Sequence, residues 1–135
     1  MAHNPWHMNA GLNHVGAYQV SGIPFAKAAI NATNATKVAF PYVTRWIYIV
    51  NTGATDVKVG FSENGVEGTN YFTIARKDNQ IVQSSVRLEV KVSELWLKDS
   101  DGAVIDVCAG LTSILPDKVS MGDGLPSWSG SAGVG

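Results

Sequence analysis

The chain has 135 residues, which is enough for one domain around one hydrophobic core. Charged residues make up only 16% of it, below the roughly 25% of ordinary soluble domains, so much of the surface is uncharged and suits burial against partners. The net charge is −1 and the lysines and arginines are scattered singly, which excludes genome packaging by charge neutralisation, because phosphate binding needs clustered cations.

The N-terminal residues 1–17 mix polar and aromatic side chains without periodicity, and we predict an extended arm there. Trp6 is its predicted anchor, because an exposed tryptophan commonly anchors a contact with another protein. His3, His7 and His14 are not predicted to bind metal. The spacing of the first two suits one metal ion only on a helix, and the proline between them disfavours a helix.

The start of the chain has neither the basic residues nor the long apolar core of a signal peptide. No apolar run approaches the roughly 20 residues of a membrane-spanning helix. We therefore predict a soluble protein that folds in a reducing cytoplasm and does not bind a membrane. Cys108 is the single cysteine, which excludes an intrachain disulfide, and its place in the apolar run 103–109 predicts a buried strand.

Strand patterns dominate the middle of the chain. Residues 18–22 predict a short first strand, and residues 25–36 are ambiguous between a helical turn and a polar loop. Residues 37–40 predict a second strand that ends at a proline. Residues 44–50 are apolar on both faces and predict a central strand covered on each side. Residues 56–62 alternate strictly and are predicted to form a hairpin with that central strand.

The second half of the sandwich continues in the same way. The pair Asn64-Gly65 predicts a tight turn over residues 63–68, and helix finds little support outside residues 25–36. The pair Asp101-Gly102 predicts a loop that joins two strands in a second hairpin. The predicted strands of this half are residues 70–74, 80–84, 86–92, 94–97 and 103–109.

About eight or nine short strands without intervening helices predict an all-β fold, an antiparallel β-sandwich over residues 18–115. A single jelly roll fits eight strands best, and an immunoglobulin-like Greek key stays open. Residues 116–135 are rich in glycine and serine and predict an extended C-terminal arm. Leu125, Pro126 and Trp128 are its predicted anchors on a neighbouring copy or on another chain.

The acidic residues offer two candidate sites, and each has a simpler interpretation. Asp99, Asp101 and Asp106 surround a loop, but their spacing does not fit a calcium-binding EF-hand, and a polar hairpin explains them. Glu89 and Glu94 have an odd spacing that places them on opposite faces of a continuous strand, so we expect solvent-facing charges. No catalytic, cofactor or metal site is therefore predicted, and the chain is not expected to be an enzyme.

The aromatic residues support an alternative function. Trp46 and Trp96 lie in dense apolar runs and are predicted core residues. Trp6 and Trp128 lie in the arms, where they could stack on sugar rings. A carbohydrate- or receptor-binding β-sandwich is therefore the alternative to a structural role.

Three segments carry a resemblance to a known class: FPYVTRW at residues 40–46, VGFSENGV at residues 59–66 and SELWL at residues 93–97. In strand layout the chain resembles single jelly-roll minor capsid, penton and decoration proteins of icosahedral viruses and phages. The resemblance implies trimers or pentamers that contact other capsid proteins through sheets and terminal arms. It also implies a protein made in the host cytoplasm and located in the virion, without catalytic residues.

Overall fold

The computed structural model describes residues 22–77 and 84–116. Within these ranges the chain forms eight strands in two antiparallel sheets, together with one short helix, α1 (Glu63–Glu67). The predicted all-β sandwich of two antiparallel sheets is confirmed. The strands are β1 (Ile23–Ala32), β2 (Thr36–Ala39), β3 (Thr44–Asn51), β4 (Val57–Gly60), β5 (Tyr71–Ile74), β6 (Ser84–Leu88), β7 (Glu94–Lys98) and β8 (Ser100–Leu111).

The strands form two four-stranded sheets, and their pairs are nested along the chain. Sheet A has the order β1-β8-β3-β6, and sheet B has the order β2-β7-β4-β5. The first strand therefore pairs with the eighth, the second with the seventh, the third with the sixth and the fourth with the fifth. Two further pairings, β3 with β8 and β4 with β7, complete the sheets.

The core lies between the inner faces of the two sheets. Successive side chains of a strand point to opposite faces, so every second residue reaches the interior. Val57 and Val59 lie inside, as their alternation predicts, and both are fully buried. The other strand residues of the buried core are Ile30, Ala32, Val38, Ile47, Ile49, Ile74, Leu95, Leu97, Ile105, Val107, Ala109 and Leu111.

Both predicted hairpins are wrong. Strand β3 belongs to sheet A and β4 to sheet B, so the turn between them crosses from one sheet to the other. Asn51 fixes this corner: its side-chain Nδ2 donates to the Thr55 carbonyl at 2.9 Å, and its Oδ1 accepts from the Gly53 N–H at 3.0 Å. The same holds for β7 and β8, because Asp99 between them adopts a left-handed φ of 71° and turns the chain into the other sheet.

Two local predictions are also corrected. The segment predicted as an Asn-Gly turn is helix α1, because Ser62 caps it: the Ser62 Oγ accepts from the Gly65 N–H at 3.0 Å. The ambiguous stretch 25–36 belongs mainly to strand β1, which is ten residues long. The predicted arms, residues 1–17 and residues 117–135 of the second, lie outside the described residues, as do residues 18–21 and 80–83.

Candidate interaction surface

The partner-binding residues predicted from sequence are Trp6, Leu125, Pro126 and Trp128, and all four lie outside the described residues. The three histidines of the N-terminal segment lie outside them too. What the structure defines instead is a pair of sheet surfaces, one on each side of the sandwich, and they differ sharply in chemistry.

The side chains of four of the five acidic candidates have separate partners, and Asp101 bonds to Thr55 through its backbone N–H. Asp99 forms an ion pair with Lys58 at 2.7 Å, and Asp106 accepts a hydrogen bond from the backbone of β1. Glu89 lies 3.2 Å from the Arg87 guanidinium, and Glu94 accepts a hydrogen bond from the indole N–H of the tryptophan two residues later. Over residues 22–77 and 84–116, no three His, Cys, Asp or Glu side chains lie close enough together to hold a metal ion.

The outer surface of sheet A is named face A. Its central row runs across all four strands: Ala26 lies opposite Cys108, Cys108 opposite Tyr48, and Tyr48 opposite Arg87. Cross-strand neighbours in an antiparallel sheet point to the same side, so these side chains share one surface. Face A consists of Pro24, Ala26, Ala28, Trp46, Tyr48, Val50, Ser85, Arg87, Asp106, Cys108 and Gly110, and Lys27 also lines its groove.

Trp46 lies flat against the backbone of Gly110 on face A. A Cβ atom at Gly110 would come within 2.3 Å of the Trp46 Nε1, so only glycine leaves room for the indole. On the ring, the Arg87 guanidinium carbon lies 5.3 Å from the centroid, a cation–π distance. The predicted core position of Trp46 is therefore wrong: it is half-buried on the outer surface, because its neighbour Ile47 takes the inward direction.

Tyr48 stands beside a groove on the same face. The groove has a volume of about 230 Å³, and its lining includes Ala26, Ala28, Val50 and Cys108. The Tyr48 side chain is 36% exposed. Its hydroxyl donates to the Ser85 Oγ at 2.9 Å, which ties the ring to strand β6.

The predicted burial of Cys108 is wrong. It belongs to the predicted strand, but it is exposed on face A and not buried. The alternation of β8 explains this, because Val107 and Ala109 point inward and leave the residue between them outside. Tyr48 follows the same rule, because Ile47 and Ile49 point inward and leave it on face A.

The outer surface of sheet B is named face B and is charged. Lys58 and Lys98 lie directly opposite each other, and each is neutralised by its own carboxylate: Lys58 by Asp99 at 2.7 Å, and Lys98 by Glu67 at 2.6 Å. The hydrogen bond to Asp99 raises the pKa of Lys58 above its usual value. The remaining members of face B are Lys37, Gly60, Tyr71, Thr73, Glu94 and Trp96.

Trp96 is likewise not a core residue. It is half-buried on face B, where its Nε1 donates to the Glu94 carboxylate. Tyr71 lies on the edge strand β5, and the Lys58 ammonium is 5.0 Å from its ring centroid. A second groove of about 290 Å³ lies beside this edge strand and is lined by Val59, Phe61, Ser62, Thr69, Asn70, Tyr71 and Phe72.

Comparison of the chain with protein-family models, with curated proteins and with solved structures finds no match. In the part of the chain that the structure describes, no helix is long and apolar enough to cross a membrane.

Proposed function

We propose that this protein is a non-enzymatic structural protein of a virion, made in the host cytoplasm, that assembles into or stabilises an icosahedral shell. A vertex, minor capsid or decoration role fits a chain of this length. The observation that carries the proposal is face A. A whole sheet surface is built mainly from alanine, valine, tyrosine, tryptophan and cysteine, while the opposite sheet surface is occupied by ion pairs. Contiguous apolar side chains on an exposed surface mark a candidate interaction site.

The nested strand pairing supports a single jelly roll as the finer description of the fold. A jelly roll has eight strands in two sheets and is shared by viral capsid domains, lectins and cupins. An immunoglobulin-like sandwich places strands A, B, E and D in one sheet and C, F and G in the other, which makes several consecutive strands neighbours. Among the strands described here, only β4 and β5 are both consecutive and paired.

Fold alone does not decide function, since jelly rolls also bind ligands between their sheets. Here the space between the sheets is filled by aliphatic side chains such as Ile47, Ile49 and Leu97, all fully buried. Apart from the groove beside edge strand β5, the available surface is therefore outside the sandwich, on the sheet faces. This distribution favours an assembly subunit over a container for a ligand.

We further propose that the arms, residues 1–17 and 116–135, hold neighbouring copies in a trimer or pentamer and contact other capsid proteins. Burying one tryptophan of roughly 200 Å² stabilises the contact by about 5 kcal/mol. Ordering each arm residue costs about 1–2 kcal/mol, so one anchor orders only a few residues. Trp6, Leu125, Pro126 and Trp128 are therefore expected to act together.

The oligomeric state of the purified full-length chain tests this function. We expect light scattering coupled to size-exclusion chromatography to give a closed oligomer, and electron microscopy to show rings or shells at higher concentration. The variant Trp6→Ala/Trp128→Ala should give smaller species with an unchanged circular dichroism spectrum. A chain that stays monomeric at tens of micromolar concentration, with or without its tryptophans, contradicts the structural role.

The second groove favours a carbohydrate-binding module as the second candidate. Sugar sites combine an aromatic platform with a few polar side chains. Tyr71 is 38% exposed here, and Thr69 and Asn70 lie beside it. A glycan array distinguishes the two functions: binding that is lost in Tyr71→Ala and kept in Thr73→Ala, a change on the same strand outside the groove, would place sugar recognition first.

A further inference from the structure

We propose that the groove beside edge strand β5 (the β5 groove) is the binding site of the C-terminal arm, and that Leu125, Pro126 and Trp128 of a neighbouring copy bind there. The inference rests on the proposed function, because it names the surface that receives one of the arms. It commits the groove to one occupant, residues 125–128 of a second copy of this chain.

The first support is the place where the C-terminal segment leaves the sandwich. Strand β4 ends at Gly60, opposite Trp96 on β7, and the groove lies at this end of β4 and β5. Earlier on the same chain as Trp96, the Val92 carbonyl accepts from the Thr44 N–H at 2.9 Å, and Thr44 lies opposite Leu111, the last residue of β8. The groove and the start of the C-terminal segment therefore lie at the same end of the sandwich.

The second support is that this end carries exposed apolar side chains. Among the described residues, the large apolar side chains with the greatest exposure are Ile23 at 46%, Leu115 at 44% and Tyr71 at 38%. Ile23 lies opposite Leu111, Leu115 follows β8, and Tyr71 lines the groove. Apolar side chains that gather at one end of a domain mark a candidate interaction site.

The third support is the matching chemistry of the groove and the segment. Val59, Phe61 and Phe72 line the groove together with uncharged polar side chains, and none of its lining residues is charged. Residues 124–135 likewise contain no charged side chain. Binding therefore removes apolar surface from water without desolvating a charged side chain. The fixed φ of Pro126 also lowers the entropy that is lost when the segment becomes ordered.

The size of the groove suits one large anchor. Its volume of about 290 Å³ lies at the lower limit of the roughly 300–1,000 Å³ of pockets that bind small molecules. Trp128 is the one aromatic residue after residue 116, and an aromatic side chain buries about 150–250 Å². We therefore expect Trp128 to be the main anchor, with Leu125 and Pro126 beside it.

The linker before the anchors is long enough to reach a neighbouring copy. Residues 117–124 span up to about 26 Å when they are extended at about 3.3 Å per residue. Within one copy, β8 lies two strands from β6, which contacts β5 of the other sheet. Strand and sheet spacings of about 4.8 and 10 Å place the copy's own groove only about 14 Å from β8. The segment can therefore extend beyond its own copy, and exchange of an identical segment is a low-cost route to oligomers.

Cross-linking between two full-length variants tests the inference. Both variants carry Cys108→Ser, which removes the native thiol; one adds Thr69→Cys in the groove and the other Ser127→Cys in the segment. Co-expressed and treated with a short bismaleimide, they should give a covalent pair, with the link located by mass spectrometry of the digest. Thr73→Cys, on strand β5 outside the groove, should replace Thr69→Cys with at least tenfold lower yield. Equal yields would overturn the proposal, because they would indicate random collisions.

A single chain with both new thiols tests whose segment binds. Cys108→Ser/Thr69→Cys/Ser127→Cys should give chains linked to other copies, and a cross-link closed within one chain would overturn the proposal. Adding Trp128→Ala should lower the yield at least tenfold with an unchanged circular dichroism spectrum. A glycan that binds the native assembly and is lost in Tyr71→Ala would mean that sugar occupies the groove, and this outcome also overturns the proposal.

The test separates this inference from the proposed function. Closed oligomers without the cross-link would support the structural role and overturn the β5 groove as the binding site of the arm. Cross-linked pairs that never grow beyond two copies would support the binding site and contradict the virion role.

Discussion

Asp106 accepts a hydrogen bond through its Oδ1 from the backbone N–H of Ala29 at 2.9 Å, across two neighbouring strands of sheet A. Ala29 has a left-handed φ of 56°, which is uncommon for a residue other than glycine. It lies in a bulge: from Lys27 to Ile30 the strand advances three residues, against two on β8. The bulge turns Ile30 into the core and disrupts the regular edge of the sheet, which discourages pairing with other chains.

Removing the Asp106 carboxylate should release the bulge. We expect Asp106→Ala to lower the free energy of unfolding by about 1–2 kcal/mol, because the Ala29 N–H loses a charged acceptor. Urea denaturation measures this change. Asp101→Ala, at an exposed position of the same strand, is the control and should stay within about 0.5 kcal/mol of the native chain. Equal losses in the two variants would show that the bulge does not depend on Asp106.

The Lys58–Asp99 pair predicts an alkaline loss of stability. The pKa of Lys58 is raised in the folded state above its ordinary value of 10.5, mainly by the hydrogen bond to Asp99. A raised folded pKa means that the stabilisation is fully present below the unfolded pKa and is lost as the pH rises through the folded pKa. Stability attributable to this pair should therefore be constant from neutral pH to about pH 9 and fall above about pH 10.5.

A difference experiment isolates that contribution. Thermal unfolding of the native chain and of Lys58→Met is compared across this pH range, with Lys37→Met as the control on the same face. The difference in melting temperature between the native chain and Lys58→Met should narrow above about pH 10.5. The difference between the native chain and Lys37→Met should not. A melting-temperature difference between the native chain and Lys58→Met that widens as the pH rises would contradict the direction of the pKa shift.

The close approach of Trp46 to Gly110 predicts a coupled pair. We expect Gly110→Ala to destabilise the fold by about 1–3 kcal/mol, since the new Cβ displaces the indole. In a Trp46→Ala background the same substitution should cost less than half as much, because the obstructing ring is gone. Denaturation of the two single variants and the double variant measures this coupling. Strictly additive losses would mean that the backbone near Gly110 is strained for another reason.

Deleting residues 116–135 tests the proposed C-terminal arm. We expect a folded sandwich with an unchanged circular dichroism spectrum and a lower oligomeric state in sedimentation. The sandwich should stay folded without this segment, because every residue of the buried core cluster comes before residue 116. An unchanged oligomer would rule out a role for this arm in assembly.

Much of the strand layout follows from local patterns. The alternation of residues 56–62 predicts β4 with Val57 and Val59 inward, and both are buried. The β-branched and aromatic run at residues 44–50 predicts β3, and the strand covers Thr44–Asn51. These predictions hold because the twofold repeat of a strand depends only on neighbouring residues.

The partners of each strand were not readable from the same patterns. Short turn-like segments predicted hairpins, yet the corner held by Asn51 leads β3 into the opposite sheet. Likewise, a helix replaced the predicted Asn-Gly turn because the Ser62 side chain caps its first turn. Strand pairing depends on which sheet the chain enters after each connection. Contacts between residues distant in sequence decide which sheet that is.

The amino-acid sequence by itself determined the all-β class, most strand positions and the inward residues of the clearest strands, because alternation and β propensity are local. Only the tertiary structure decided which strands pair, and that Trp46, Tyr48 and Cys108 share one outer surface. An apolar residue on a strand shows that a face is apolar, but what covers that face depends on the packing of the whole sheet and its neighbours.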